Sequence, residues 1–227
     1  MLRRIGRWIL RFAALVFAIS IMMTAIYERV PVPVTWLMLL RVVQGDGLTR
    51  DWEPIENISP ELIRAVIAAE DTRFCEHRGF DWVELRKAID EWRRGEGLRG
   101  ASTISNQVAR NVFLWPSRDL LRKGLEAYYT VLIELMWRKE RIIEVYLNVA
   151  EWGPGIFGAE AAAQHYFGKP ASELTRREAS LMAAILPNPI EWSASSPGEY
   201  TANYAARIRT RMDQLAWAEP LPCGGVR

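Results

Sequence analysis

Hydrophobic positions follow two regimes along this chain: one unbroken apolar run near the start, then a spacing of three and four residues from Ser59 onwards. Phe12–Tyr27, FAALVFAISIMMTAIY, holds no charge, and Ile9 and Leu10 extend it across Arg11. About 20 apolar residues cross a bilayer core, so the run predicts one membrane-spanning helix with Arg11 reaching back to the interface. Arg3, Arg4, Arg7 and Arg11 precede or open it, which predicts a cytoplasmic N-terminus and a translocated remainder. Glu28-Arg29 follows directly and no small-x-small cleavage site closes the run, so a retained signal anchor is expected over a cleaved signal peptide. Val30–Val43 is a second apolar patch, and Pro31 and Pro33 preclude a regular helix at its beginning. Trp36 to Val43 is too short to span; a half-buried interfacial turn and an ordinary connection into the core fit its pattern equally.

From Asp51 the pattern is helical almost throughout. Ser59-Pro60 is a helix start, with a serine cap and proline in the first turn. Asp81 and Glu84 open a helix with Trp82, Leu85, Ala88, Ile89 and Trp92 on one face, ended by Gly95 and Gly97. Leu120–Lys139 predicts a long helix with a core stripe of Leu121, Leu125, Tyr128, Leu132 and Leu135. Arg141–Ala150 predicts another, with Ile142, Ile143, Tyr146 and Leu147 inside. Thr175 and Glu178 cap a helix through Leu186, stopped by Pro187 and Pro189, and Tyr200–Leu215 is the last. Strand signals are scarce. The expected class is mainly α, with one N-terminal transmembrane helix. Residues 1–29 form the basic start and anchor, 30–58 a membrane-proximal connection, 59–217 the helical domain and 218–227 a tail.

A length of 227 residues suits an anchor and one domain. The net charge of +2 hides an asymmetry: outside the four leading arginines, 25 basic residues face 27 acidic ones. That balance excludes a nucleic-acid footprint. Cys75 and Cys223 lie far apart and are expected as independent thiols, although a translocated domain permits a disulfide. His77 and His165 stand alone, without metal-ligand spacing, and are expected as hydrogen-bonding residues.

Candidate chemistry begins at Ala65–Gly79, AVIAAEDTRFCEHRG. Ile63, Val66, Ile67 and Glu70 fall at i, i+3, i+4 and i+7, so Glu70 continues the buried stripe. Desolvation there raises a carboxylate pKa towards the range of a general base. The competing reading ends the helix at a wet boundary, with Glu70 paired to Arg73 or Arg78. The string that follows, EDxxFxxHxG, resembles the first signature of the peptidoglycan glycosyltransferases, glycosyltransferase family 51, in which the glutamate is the catalytic base.

Two further stretches carry the same resemblance. Arg99–Asn111, RGASTISNQVARN, offers Ser102 or Thr103 as a cap, an apolar edge of Ile104, Val108 and Val112, and a polar face with Gln107 and Asn111. It is similar to the family's RGxSTIxQQxxKN, with Asn106 where glutamine is usual and Arg110 where lysine is usual. Arginine keeps the charge and adds a planar fork for phosphate oxygens. Arg122–Asn148 resembles RKxxExxxAxxLExxxSKxxILExYLN, which puts Glu126 at the family's second active-site glutamate. On residue pattern alone, Glu126 is a surface partner of Arg122 one turn earlier. Between Arg99 and Lys123 the net charge is +4, against about −6 in the rest of the translocated part, which suits a diphosphate. The resemblance extends from about residue 30 to about residue 200. No SxxK or KTG string is present, so the transpeptidase site that often accompanies this domain is not expected.

The resemblance implies a lysozyme-like helical glycosyltransferase domain, periplasmic and held to the inner membrane. It implies polymerisation of lipid II into β1→4-linked glycan with release of undecaprenyl diphosphate, by an inverting mechanism. Glu70 would take the proton of the acceptor hydroxyl, while Arg110, Arg118 and Lys123, arranged by Glu126, would neutralise the leaving diphosphate. Asp71, Ser102, Asn106, Gln107 and Asn111 are expected as sugar contacts or supports, with Asn106 in the polar groove. No cofactor or protein metal site is required, and a divalent cation at the diphosphate is compatible with the scheme. Expected partners are lipid II, the growing lipid-linked glycan, the membrane and, as candidates, cell-wall synthesis or division proteins. Two other classes share these features: a lytic transglycosylase or lysozyme, which needs no diphosphate site, and a non-catalytic membrane-tethered binding subunit. Reaction with lipid II separates the three.

Overall fold

The computed structural model describes residues 2–95, 97, 100, 102–117, 119–215 and 223. Its first helix, α1 (Leu2–Tyr27), runs 26 residues, or about 39 Å at 1.5 Å per residue, enough to cross a hydrocarbon core. Its segment Arg4–Tyr27 is the one described helix long and apolar enough for that, with a mean hydropathy of 2.2. The C-terminal half of α1 is bonded to the rest of the molecule rather than left as a free tether. Trp137 Nε1 donates to Thr24 O at 2.8 Å, and the Arg141 guanidinium donates to the Tyr27 and Val30 carbonyls at 2.7–3.0 Å. The Tyr27 carbonyl ends the helix and lacks a partner within it, so the guanidinium there satisfies it and complements the helix dipole.

The second apolar patch is a helix, α2 (Trp36–Gln44), capped by Thr35 and ended by Gly45 in a left-handed conformation. Met38 is buried while Trp36, Leu39, Val42 and Val43 are exposed, which settles the patch as half-buried. Arg41 grips Glu151 through two hydrogen bonds of 2.6 and 2.9 Å. Strands that the sequence pattern did not signal follow: β1 (Thr49–Arg50), β2 (Glu151–Gly153) and β3 (Ile156–Phe157), in the order β1-β3-β2. β1 pairs parallel to β3 and β2 antiparallel.

The core helices are α3 (Pro60–Glu70), α5 (Ile104–Phe113), α7 (Lys139–Val149), α8 (Ala159–Phe167), α9 (Arg176–Ile185) and α10 (Glu199–Gln214), with α4 (Trp82–Arg93) and α6 (Leu120–Met136) on the flank. Ser59, Asp81, Thr103 and Thr175 accept backbone N–H bonds at the starts of α3, α4, α5 and α9, as their sequence positions predict. α3 lies against α9 and α10, and α5 against α6 and α7, so Glu70 emerges where the two groups meet.

Two helices are turned otherwise than their apolar stripes predict. In α6 the buried positions are Arg122, Glu126, Thr130 and Ile133, while Leu121 and Leu135 are exposed. In α4 only Ala88 is buried, and Trp82 and Trp92 lie on the surface. The expected leucine stripe of α6 instead meets α1 in part: Tyr128 hydrogen-bonds Ser20 at 2.7 Å and its ring lies 6.1 Å from that of Phe17. The two cysteines are not independent thiols. Cys75 and Cys223 form a disulfide across 148 residues of sequence, because folding brings Cys223 to the loop after Glu70. Linear spacing carried no information about that approach.

Candidate active site

Glu70 is the last residue of α3, and Asp71 leaves the helix with an extended φ of −160°. Leu62, Ile63 and the run Ala65–Ala68 before it are buried, so Glu70 reaches the cleft from a dry base. Its surroundings leave it only partly open. Burial pushes its pKa above the ordinary glutamate value, opposed by a hydrogen bond from Gln107 and by the Arg110 charge, with Asp71 adding to the rise. Gln107 Nε2 donates to Glu70 Oε2 at 2.7 Å, and Tyr146 OH donates to Gln107 Oε1 at 3.4 Å. Tyr146 is itself buried, and its hydroxyl is held well above its usual pKa by desolvation and then by the Glu70 charge. The proposed wet pairing of Glu70 with Arg73 is absent; Arg73 binds Glu76 and Asp81 instead.

Asp71 points inward. One of its oxygens accepts from the Ile104 N–H at the start of α5, at 3.0 Å, and His77 Nε2 lies 2.9 Å from the other. An α-helix N-terminus favours such an anion, so the bond fixes α5 against the end of α3. Thr103 Oγ1 donates to Gly79 O at 2.6 Å, closing the loop onto the same junction. Gly79 sits at φ +87°, and a Cβ there would lie 2.7 Å from Thr130 Cγ2. Only glycine fits, which gives the last position of EDxxFxxHxG a steric reason. Asp71, His77 and Asp81 bring ligand atoms within 4.8 Å of one another. Each aspartate is already occupied, Asp81 by the Val83 and Glu84 amides and by Arg73, so the group works as a brace.

Asn106 does not face the groove. It is buried, its Oδ1 accepts from the Thr103 N–H at 3.1 Å, and its Nδ2 donates to Thr130 Oγ1 at 2.9 Å. Both ends of the amide are used within the protein, because position 106 is the third residue of α5, where a side chain can return to the cap. A sugar contact from Asn106 is therefore corrected to a cap and a bridge between α5 and α6.

Glu126 is 1% exposed. Arg122 Nη1 donates to its Oε2 at 2.7 Å and Lys123 Nζ to its Oε1. A surface ion pair is thus replaced by a buried carboxylate clamped between two cations, with Lys123 still largely exposed. Both oxygens are taken, so this carboxylate is filled by cations already and does not fit a divalent ion.

A cleft of about 440 Å³ joins Glu70, Asp71 and Ser102 to Tyr200, Tyr204 and Arg211 of α10. Arg110 and Asn111, bonded to each other at 3.4 Å, line a smaller hollow of about 180 Å³ against Leu37 and Trp115. Glu126 and Lys123 line neither. The structure thus brings Glu70, Gln107 and Arg110 together. Arg99 and Arg118 fall outside the described residues. Sequence reasoning missed Tyr146, Tyr200, Tyr204 and Arg211. The spacing of Tyr200 and Tyr204 by one helical turn was the available signal for the α10 wall.

Comparison with known proteins adds an independent line. A family model described as transglycosylase matches residues 38–215. A biosynthetic peptidoglycan transglycosylase of Caulobacter vibrioides is 54% identical over 183 residues, covering 81% of this chain and 80% of that protein. Proteins of the same description from Pseudomonas putida and Pseudomonas aeruginosa are 52% and 49% identical over 221 residues, each covering 95% of this chain and 92% and 95% of their own lengths.

Proposed function

The chain belongs to the transglycosylase family, and on that premise we propose that it polymerises lipid II into β1→4-linked glycan strands, releasing undecaprenyl diphosphate. The observation that carries this reading is Glu70: a carboxylate with a raised pKa at the mouth of a cleft, hydrogen-bonded by Gln107 and facing the Arg110 charge. A base needs a pKa raised towards the working pH and a route to its proton. The growing glycan, linked at its reducing end to lipid diphosphate, is the donor. The 4-hydroxyl of the acceptor N-acetylglucosamine gives its proton to Glu70 as its oxygen attacks the anomeric carbon. The bond to the diphosphate oxygen breaks with its electron pair, and the configuration inverts from α to β.

Arg110 and Lys123 serve the departing charge, and Arg118 belongs with them in this scheme. Fixed cations aimed at developing charge need no reorganisation during the step, the usual source of large catalytic effects. Glu126 supports the reading by holding Lys123 and Arg122 in place. The anchoring of α1, half bonded to α6 and α7, keeps the cleft at a fixed height over a bilayer that holds the polyprenyl tails of both substrates. In this account the arginines in the first turns of α1 stay in the cytoplasm and the domain is on the periplasmic side of the inner membrane. Incubation of the purified chain with labelled lipid II tests the proposal: glycan polymer supports it. Unchanged lipid, or release of sugars from preformed glycan, contradicts it.

A further inference from the structure

The wall of the cleft made by α10 has a composition that proton transfer does not explain. Tyr200 is 61% exposed, yet its ring is held between Trp192, 5.3 Å away, and Tyr204, 6.3 Å away. Tyr204 in turn donates from its hydroxyl to Ala69 O at 3.3 Å, so the aromatic row is tied to the residue before Glu70. Arg211 stands on the same wall, exposed and without an ion-pair partner among the described residues. The other charged groups there are Glu70, Asp71, Asp81 and Glu84, and Asp71 and Asp81 are committed to backbone amides. A large ring that is both exposed and rigid is a preformed contact surface, with little side-chain freedom left to lose on binding. Pyranose rings offer an apolar face of C–H groups to such a surface, and sites of this kind combine aromatic walls with a few fixed polar groups.

We propose that the α10 wall is a saccharide subsite, in which Tyr200 stacks on a sugar ring and Arg211, about 16 Å further along α10, pairs with a carboxylate of the peptide that the sugar carries. The inference rests on the proposed glycan-polymerising reading for the identity of the sugar, and adds residues that position it. Two sources supply this chemistry, the acceptor and the growing strand. Either one leaves Glu70 beside the hydroxyl or the anomeric carbon that reacts.

The test uses the full chain carrying Glu70→Gln, so that binding is read without turnover. Calorimetric titration with a soluble N-acetylglucosamine–N-acetylmuramic acid pentapeptide, free of lipid and diphosphate, measures the subsite alone. Tyr200→Ala is expected to weaken this probe about 10-fold, the scale of one lost aromatic contact, and Tyr200→Phe to change it less than about twofold. Arg211→Ala is expected to weaken the acidic probe and not a neutral N-acetylglucosamine oligosaccharide. In lipid II polymerisation by the Glu70 parent, slowed initiation with Tyr200→Ala assigns the wall to the acceptor, and shortened strands at unchanged initial rate assign it to the growing glycan. No probe binding by the parent, or equal binding by Tyr200→Ala with an unchanged melting temperature, overturns the inference. Failure of polymerisation alone contradicts the proposed function and leaves the subsite standing.

Discussion

Gln107 Nε2 donates to Glu70 Oε2 at 2.7 Å, and this one bond joins α5 to the end of α3 across the cleft. It favours the ionised carboxylate that burial disfavours. Ionised is the form a base requires, so the bond and the burial set Glu70 between them. Removing the donor in Gln107→Ala therefore raises the Glu70 pKa further. The acidic limb of kcat/KM against pH moves to higher pH, and kcat/KM at neutral pH falls by about 10-fold, as for loss of one hydrogen bond to a charged group. A pH–rate profile checks this; an acidic limb that stays in place or moves to lower pH contradicts it.

Glu70 carries a cost in stability by the same logic. Its folded pKa is raised, so stability from this group is full below the unfolded glutamate pKa and declines as pH rises through the folded value. At neutral pH the native state holds a desolvated charge that glutamine does not have. Glu70→Gln is expected to melt at a higher temperature than the parent at neutral pH, with the difference closing as pH falls to the ordinary glutamate range. Thermal melts at several pH values read this directly, and a gap that widens on acidification contradicts it.

Asn106 belongs to stability rather than to substrate. Asn106→Ala leaves the Thr103 N–H and the Thr130 hydroxyl without their partner, at a cost of about 1–2 kcal/mol. Asn106→Gln forces an extra methylene into a filled space and costs about 1 kcal/mol. Activity per folded molecule stays near the parent in both. Denaturation curves paired with initial rates check this. A rise in kcat/KM for Asn106→Gln returns this residue to the groove.

The Cys75–Cys223 disulfide fastens Cys223 to the loop that follows Glu70. A cross-link over so long a stretch of chain stabilises a fold by about 2–5 kcal/mol. Reduction with dithiothreitol, or Cys75→Ser, is expected to lower the melting temperature, and a non-reducing peptide map to recover the two cysteines in one cross-linked fragment. Recovery of two free thiols from the oxidised protein contradicts the pairing.

Much of the site was legible because local chemistry decides it. Ser59-Pro60 and Thr103 fix where α3 and α5 begin, and the stripe from Ile63 to Glu70 fixes which way the carboxylate faces. α6 was misread because periodicity reports an apolar face without reporting what covers it. Its leucines and Tyr128 turn towards α1 or outwards, while Arg122, Glu126 and Thr130 turn in, where each is hydrogen-bonded. A buried polar stripe is stable only when its members find partners; Arg122 and Thr130 find Glu126 within α6, while what covers the stripe, with Asn106 of α5 donating to Thr130, comes from another element. The same holds for α4, for two-residue strands such as β1, and for a disulfide between distant cysteines. Asn106 looked like a neighbour of Gln107 in sequence, yet on a helix adjacent residues are about 100° apart, and the two turn to different partners, Thr130 of α6 and Glu70 of α3.

The central claim is that Glu70 is the base of a lipid II polymerase, and polymerisation by Glu70→Gln tests it most directly. Glutamine keeps the shape and a hydrogen bond with Gln107 but accepts no proton. With labelled lipid II and a variant shown to be folded, the account predicts a loss of at least about 10²–10⁴-fold in initial rate against the parent, the share of general-base catalysis. Polymer formed by folded Glu70→Gln at a rate close to the parent's would contradict it.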